Sequence, residues 1–599
     1  MKIKHYFGLA VIAAMTASCS SNEDLGTAGP GIGTNEAGVG YATFTINLPT
    51  TSGTRAAGDP EFTPGDDNEY KVNDATLVIF EKEGTATSEN EYKYVETVPL
   101  GNLDPWKKDN VTNNGVTTEA IITAKLNNAS VGTTDKYYAL VILNNKVGTN
   151  NKVTLPSDRT TTYGAWNVAS NATATNLENN KEGFYMANAP RFTDADVEPT
   201  TLVKIEGIYR TKEEAQSKPG TTVHVERGLA KVTVGSSTTE GSKNYFATAG
   251  ANATGTNYSS DKVKITDWAL DVTNKHSFPV HVTSGLKAGI PSAVPAVPAY
   301  ADIWKDGTGT APATSRFVSH PAATGAFKRV YWGIDPNYSM DLSDLTKCGE
   351  QFTLAAADGS PVTWKNGSGS DNPLYCLENT FDINNMKQGQ TTRVVFKAKY
   401  TPKDIQADET FYKIGNNTTI LKDAELVTTV DNAATSVLPG CTVDYTRLKT
   451  AGSHVITLAD VKYGTPSAVL EAETNYGTKK GKDIVKEINA KLGLNDGVGI
   501  NTYLNGVTYY IARIKHFGDD LTPWNAGDAR YGGDNEKYLG RYGVLRNNWY
   551  DLTVNSISGP GYPDVPEVKP TEPDDEDTKY ISVSVKILDW AKRSQKVDL

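Results

Sequence analysis

Few side chains in this 599-residue chain stand where they could do covalent chemistry, and the two most suggestive lie near its start. Cys19 follows the small residues Thr16, Ala17 and Ser18, which follow a basic opening (Lys2, Lys4) and an apolar run from Tyr6 to Met15. A charged opening, a short apolar core and a small-residue cleavage region form an export signal. The apolar run falls far short of the roughly 20 residues that cross a bilayer. A cysteine at that junction is where exported lipoproteins are acylated, so Cys19 is the expected lipid attachment point, with Ser20 to Asp24 as a polar tether. Arg55, set in the small-residue stretch Thr50 to Gly58, is the expected target of a protease cutting between Arg55 and Ala56.

Catalytic constellations are otherwise missing from the sequence. The later histidines, His224, His276, His281, His320, His454 and His516, are scattered, and none forms a His-Glu-x-x-His pair. No Gly-x-Ser-x-Gly elbow occurs. Gly477 to Lys482 approaches a phosphate loop, but it has three residues between its glycines where four are needed. Asp483 also stands where a magnesium-binding Ser or Thr belongs. The acidic groups Asp66, Asp67 and Glu69, and Asp519 with Asp520, lack the calcium-loop pattern and read as solvated loops. Beyond Cys19 there are only Cys348, Cys376 and Cys441, too few and too widely spaced for a disulfide framework or a zinc site; Cys376 reads as a packed apolar side chain. Trp268, Trp549 and Trp590 read as core or interface aromatics rather than sugar-stacking platforms. The expectation is therefore a protein that is not an enzyme and has no cofactor and no metal site. A net charge of −11 and a pI near 5.3 argue against nucleic acid and anionic lipid as partners, since both demand a concentrated basic face.

The elements that would position Cys19 and Arg55 are strands. Ala42, Phe44, Ile46 and Leu48 alternate with polar residues just before Arg55, and Ile581, Val583, Val585 and Ile587 alternate in the same way at the far end. Between them, Asp74 to Phe80, Tyr137 to Leu143, Thr391 to Tyr400, Val507 to Phe517 and Trp549 to Ile557 are short runs rich in Val, Ile, Thr and Tyr. Turn residues separate them, the texture of β-sandwiches. One amphipathic helix is expected over Lys482 to Leu492, with Gly493 as its stop. Ser558 to Asp577 carries Pro560, Pro563, Pro566, Pro570 and Pro573, a composition that favours an extended spacer of about 3.1 Å per residue.

Several segments resemble the Bacteroidetes fimbrillins, the type V pilin family, and among them the shaft subunit of minor fimbriae. These are Lys136 to Asn145, Gly183 to Pro190, Val225 to Val232, Leu374 to Phe381, Tyr509 to Gly518 and Val544 to Ile557, in an order that covers nearly the whole chain. The resemblance implies an all-β fold of two transthyretin-like β-sandwich domains with long loops. It implies a signal over 1–18, a propeptide over 19–55 with a removable strand at 41–48, sandwiches over 56–222 and 223–557, a proline-rich acidic linker over 558–578 and a donor strand over 579–599. It further implies a lipidated outer-membrane precursor, exported through the periplasm and cut at Arg55–Ala56 by an arginine-specific or trypsin-like protease. Ala42, Phe44, Ile46 and Leu48 would leave, and Ile581, Val583, Val585 and Ile587 of another copy would take their place in a cell-surface fimbrium that supports adhesion and biofilm formation. Partners would be other copies of the chain, anchor and tip subunits, and host or bacterial surface receptors. The alternative reading is a monomeric surface lipoprotein that binds a receptor or glycan and keeps its N-terminal strand.

Overall fold

A computed structural model describes residues 39–48, 67–101, 103, 119–132, 135–169, 172–191, 199–236, 243–283, 330, 332–338, 340–355, 362–381, 385–495, 497–516, 540–574, 581–588 and 593–594. Cys19, Arg55, Ala56, Trp590, His320 and the pair Asp519–Asp520 lie outside these residues.

The fold is all-β in its framework. The N-terminal sheet is built from β1 (Gly40–Asn47), β2 (Ala75–Glu81), β3 (Lys93–Gly101), β4 (Glu119–Leu126), β5 (Tyr137–Leu143), β6 (Met186–Asn188), β7 (Val203–Lys204) and β8 (Thr221–Arg227). Their order is β3-β2-β5-β6-β8-β1-β4, with β7 also pairing β5. The short helix α1 (Asp67–Tyr70) precedes β2, and α2 (Lys212–Gln216) precedes β8. Leu77 to Phe80 of β2 and Ala139 to Leu143 of β5 are buried without interruption, as central strands covered on both faces require. The sheet curls until its two outermost strands approach. Glu96 of β3 accepts from the backbone N–H groups of Asn127 (3.0 Å) and Asn128 (2.9 Å), just after β4.

The C-terminal sandwich packs two sheets face to face. One contains β9 (Leu229–Ser236), β12 (Leu374–Leu377), β18 (Trp549–Ile557), β19 (Ile581–Leu588) and β20 (Arg593–Ser594), in the order β12-β9-β18-β19-β20. The other contains β10 (Ala251–Asn252), β11 (Lys262–Asp271), β13 (Arg393–Thr401) and β17 (Val507–Arg513), in that order. Val232, Val234, Leu552 and Val554 from the first meet Ile265, Trp268, Phe396 and Tyr510 from the second in one apolar core. A further lobe interrupts this domain between β13 and β17. The strands β14 (Phe411–Ile414), β15 (Gly452–His454) and β16 (Ile500–Tyr503) form a three-stranded sheet, and the helices α3 (Asp423–Val437) and α4 (Gly481–Leu492) pack with it around a separate core. The expected helix is α4, stopped by Gly493 in the left-handed conformation at φ 71°. The reading from sequence did not include α3: its Val and Thr content suggests strand, yet Leu426, Val430, Ala434 and Val437 recur at helical spacing and are the residues it buries.

The proline-rich segment 558–574 departs from the extended spacer expected of it. Instead of standing free it lies along the C-terminal sandwich. Proline lacks an N–H but leaves its neighbours' carbonyls available, and the domain supplies donors to them. Tyr510 Oη donates to Gly559 O (2.9 Å), Tyr503 Oη to Gly561 O (2.9 Å), Tyr509 N to Tyr562 O (2.8 Å) and Gln388 N to Glu572 O (3.0 Å). Burial of Val568 against Val272, Cys348 and Phe352 adds an apolar anchor.

The two domains meet over a buried charged junction. β8 runs directly into β9 through Gly228, whose N–H donates to Tyr185 O at 2.9 Å. Glu69 of α1 was read as part of a solvated acidic loop, but it is fully buried. Its carboxylate sits 2.7 Å from Lys231 Nζ and accepts from Tyr375 Oη at 2.5 Å, while its backbone carbonyl accepts from Arg227 Nε at 2.6 Å. Lys231 Nζ also lies 4.0 Å from the Trp549 ring centroid. Alongside, His281 Nδ1 meets Glu226 Oε1 at 3.0 Å and Arg546 Nε meets Glu378 Oε1 at 3.2 Å. Removing one member of such a pair strands the other charge. Lys231→Met should therefore lower the unfolding free energy by about 3–5 kcal/mol, and adding Glu69→Leu should recover much of that loss. Urea unfolding of the two variants beside the parent checks both.

Candidate functional site

Of the N-terminal candidates, those described are the apolar row of β1. Its alternation puts Ala42, Phe44 and Ile46 at 0% exposure, with Leu48 just beyond the strand at 3%, so this row is part of the N-terminal core. The opposite face is also partly enclosed. Thr43 Oγ1 donates to Ala215 O of α2 at 3.0 Å and lies 3.0 Å from Thr123 Oγ1 of β4. Tyr41 and Tyr209 exchange two backbone hydrogen bonds of 2.8 Å, and a side chain at Gly40 would place its Cβ 2.3 Å from Ile208 Cγ2.

β1 is an interior strand. It runs antiparallel to β4 along its whole length, from Gly40↔Leu126 to Asn47↔Glu119. On its other side it runs parallel to β8, from Phe44↔Thr221 to Asn47↔His224. Withdrawing it would leave two unpaired backbone edges facing each other across a gap one strand wide, with β4 and β8 separated by about 9–10 Å, twice the ordinary strand spacing. It would also vacate the positions of Phe44, Ile46 and Leu48, each worth about 1.5–3 kcal/mol of burial. Ala124 and Leu126 of β4, Val223 and Val225 of β8, and Ile208 are buried in the same core as the row that would leave. Such a site binds an extended peptide through backbone ladders and alternating apolar side chains.

The C-terminal strand β19 is placed elsewhere. It pairs antiparallel with β18 of its own chain, from Trp549↔Leu588 to Ile557↔Ile581, with an irregularity between Val554 and Ser556. β20 folds back on it at Ile587↔Arg593. Thus Ile581, Val583, Val585 and Ile587 stand at ladder positions opposite Ile557, Val554, Leu552 and Tyr550, in the C-terminal sandwich. The structure does not bring the two end strands together within one chain. They match in length, each spanning eight residues.

The remaining candidates resolve into structural roles. Trp268 is fully buried and donates its indole N–H to Gly367 O at 3.1 Å, and Trp549 donates to Thr233 Oγ1 at 2.8 Å, which leaves neither ring free to stack on a sugar. Cys348, Cys376 and Cys441 are free thiols and buried; burial pushes Cys348 up to about 11 and Cys376 higher still, away from nucleophilic reactivity. Gly477 to Lys482 forms the turn and second strand of a small hairpin, Asn475–Tyr476 with Lys479–Lys480, leading into α4. Among the described residues no group of three or more His, Cys, Asp or Glu side chains could hold a metal ion, and no helix is long and apolar enough to cross a membrane. The junction residues Arg227, Lys231, Glu378 and Arg546 were not singled out as charges from sequence, although each lies within a segment that carried the family resemblance.

Residues 501–596 match the family model of the major fimbrial subunit protein type IV, Fimbrillin, C-terminal. That stretch holds β17, β18, β19, β20 and the segment between β18 and β19. No curated protein matches the sequence. Among solved structures, a candidate cell adhesion protein from Parabacteroides distasonis is similar at 11% identity and a TM-score of 0.35, over 93% of this chain and 98% of that one. A fimbrial assembly protein from the same organism is similar at 12% identity and a TM-score of 0.24, over 59% of this chain and 94% of that one. The tip fimbrial protein Mfa3 from Porphyromonas gingivalis, with a C-terminal truncation, is similar at 10% identity and a TM-score of 0.26, over 92% of this chain and 100% of that one.

Two outcomes follow from the geometry of β1. Phe44→Ala should cost about 3–5 kcal/mol of stability in the N-terminal domain, the range for a buried Phe, measured by chemical unfolding. His224, opposite Asn47, has its pKa lowered from 6.5 to about 4, first by burial and then by the charge of Arg191. The unfolded chain therefore takes up this proton before the folded one does. The neutral form's contribution is present above about pH 6.5 and is lost as pH falls toward 4. Glu89 and Glu178, which burial raises to about 7, shift stability the opposite way as pH falls, so the loss is read as the parent's thermal stability minus that of His224→Gln, a difference that should shrink from pH 7.5 to 4.

Proposed function

Taking as premise that residues 501–596 are the C-terminal region of the fimbrillin family, we propose that the chain is a structural subunit of a cell-surface fimbrium. In this reading it is a shaft subunit, lipidated at Cys19 and carried to the outer membrane. It polymerises when a trypsin-like or arginine-specific protease cuts between Arg55 and Ala56. The observation that carries the reading is β1 itself: an interior strand with a buried apolar row, followed in sequence by a lone arginine. Before cutting, β1 holds its slot as part of the same chain, at a high effective concentration that a competing strand must overcome. Cutting turns it into a separate peptide. Once that peptide dissociates, dilution removes it, and the C-terminal strand of another copy enters the gap between β4 and β8. Ala42, Phe44, Ile46 and Leu48 leave, and Ile581, Val583, Val585 and Ile587 are the set that replaces them. Other copies of the chain, an anchor and a tip subunit are the partners this reading requires, with adhesion and biofilm formation as its outcome.

A second reading has its own support. β19 completes a sheet of its own domain, which is what a monomeric surface adhesin that keeps both end strands would also do. Limited trypsin digestion of the chain begun at Ser20 separates the two. Strand exchange predicts a new N-terminus at Ala56, loss of residues 20–55 and a denaturant-resistant ladder that disappears when 580–599 are deleted. Clean cutting with only monomer under assembly conditions would favour the adhesin.

A further inference from the structure

We propose that residues 558–574 form a latch that keeps β19 on its own sheet and controls when that strand can leave for another copy; the inference rests on the strand-exchange reading. β18 ends at Ile557, β19 begins at Ile581, and these two residues face each other in the ladder. The whole of 558–580 is therefore an excursion that leaves one rung and returns to it. It is not needed to connect two antiparallel strands, which a few residues accomplish.

Residues 558–574 of this excursion are fastened to β17, to β13 and to the chain around Val272, Cys348 and Thr391. At its start, Gly561 lies so close to β17 that an added Cβ would sit 2.1 Å from Tyr509 O and 2.7 Å from Tyr510 Cδ1. In the middle, Arg393 is held by a buried ion pair to Asp271 (2.7 Å) and donates to Pro566 O at 2.5 Å. Val568 fills an apolar pocket beside Cys348, and at the end Asp574 accepts from Thr391 Oγ1 at 3.0 Å. With the latch closed, the chain is fixed at Asp574, with six residues in sequence between it and the start of β19, a separation of about 20 Å at full extension. With it open, 558–580 provide about 75 Å, enough to cross to a neighbouring molecule. The slack is stored and released at one place. Cutting at Arg55 opens the acceptor, and opening the latch frees the donor, so the two ends of the chain are controlled separately.

Hydrogen exchange on the unprocessed chain begun at Ser20 tests this without any polymer forming. Gly561→Ala and Val568→Ser should detach the strap, and the amides of 581–588 should then exchange at least about tenfold faster, while those of β2 and β5 keep their parental rates. If the Gly561 variant does not fold, the milder Val568→Ser carries the test. Faster exchange at Tyr509 and Gln388, whose N–H groups donate to the strap, with no change at 581–588 would overturn the latch. Assembly supplies the second arm. After trypsin treatment, the Val568→Ser chain should assemble at least about tenfold faster than the parent chain. Equal rates would overturn the latch and leave strand exchange standing; faster exchange at 581–588 in the loosened chains with no assembly by any chain, parent or loosened, would keep the latch and overturn strand exchange.

Discussion

Everything in the N-terminal domain depends on one constraint: a strand inside a sheet satisfies backbone groups on both sides, so it can be removed only if something else satisfies them. β1 meets that condition twice, with a full antiparallel ladder to β4 and a partial parallel one to β8. An edge strand could leave at the cost of one ladder. β1 leaves two, and it takes an apolar row out of the core with it. The folded domain is stable for the same reason that, with β1 withdrawn, it would need a replacement, and the shape of the gap left would suit an extended, alternating strand.

The junction determines what such an insertion could transmit. β8, which borders the gap, continues through Gly228 into β9, and β9 pairs parallel with β18, the strand that holds β19. A pull applied at the gap thus passes along covalent backbone and through laterally paired strands to the far end of the chain. Glu69, Lys231 and Tyr375 lock this path where it crosses between the cores. Buried ion pairs contribute little net stability against an apolar substitute, but they tolerate few alternative arrangements. The segments that carried the family resemblance, Val225 to Val232, Leu374 to Phe381 and Val544 to Ile557, meet at this junction, which accounts for their content of charged and amide residues among strand formers.

The strands were legible because each carries its own signal. Tyr137–Leu143 and Trp549–Ile557 coincide with the runs read from sequence, and Ala75–Glu81 and Arg393–Thr401 lie within two residues of theirs. α4 was legible through its apolar face and terminal glycine. Where the reading failed, a local preference was overruled by distant partners. Glu69 sits in an acidic stretch that looks solvated, yet Lys231, far along the chain, provides its counter-charge. The proline-rich composition of 558–574 favours an extended, free spacer, and the segment is instead docked on the C-terminal sandwich. Composition says nothing about whether Tyr503, Tyr509 and Tyr510 will bind its carbonyls.

By itself the sequence determined most of the strands, the buried face of β1 and the twin alternating patterns at the two ends, because periodicity is a property of neighbouring residues. Tertiary structure alone decided that β1 lies one strand in from a sheet edge, that β19 closes its own domain, and that residues 558–574 are fastened down. Pairing order and docking depend on contacts between residues hundreds of positions apart. No local pattern encodes which of several compatible edges a strand will meet.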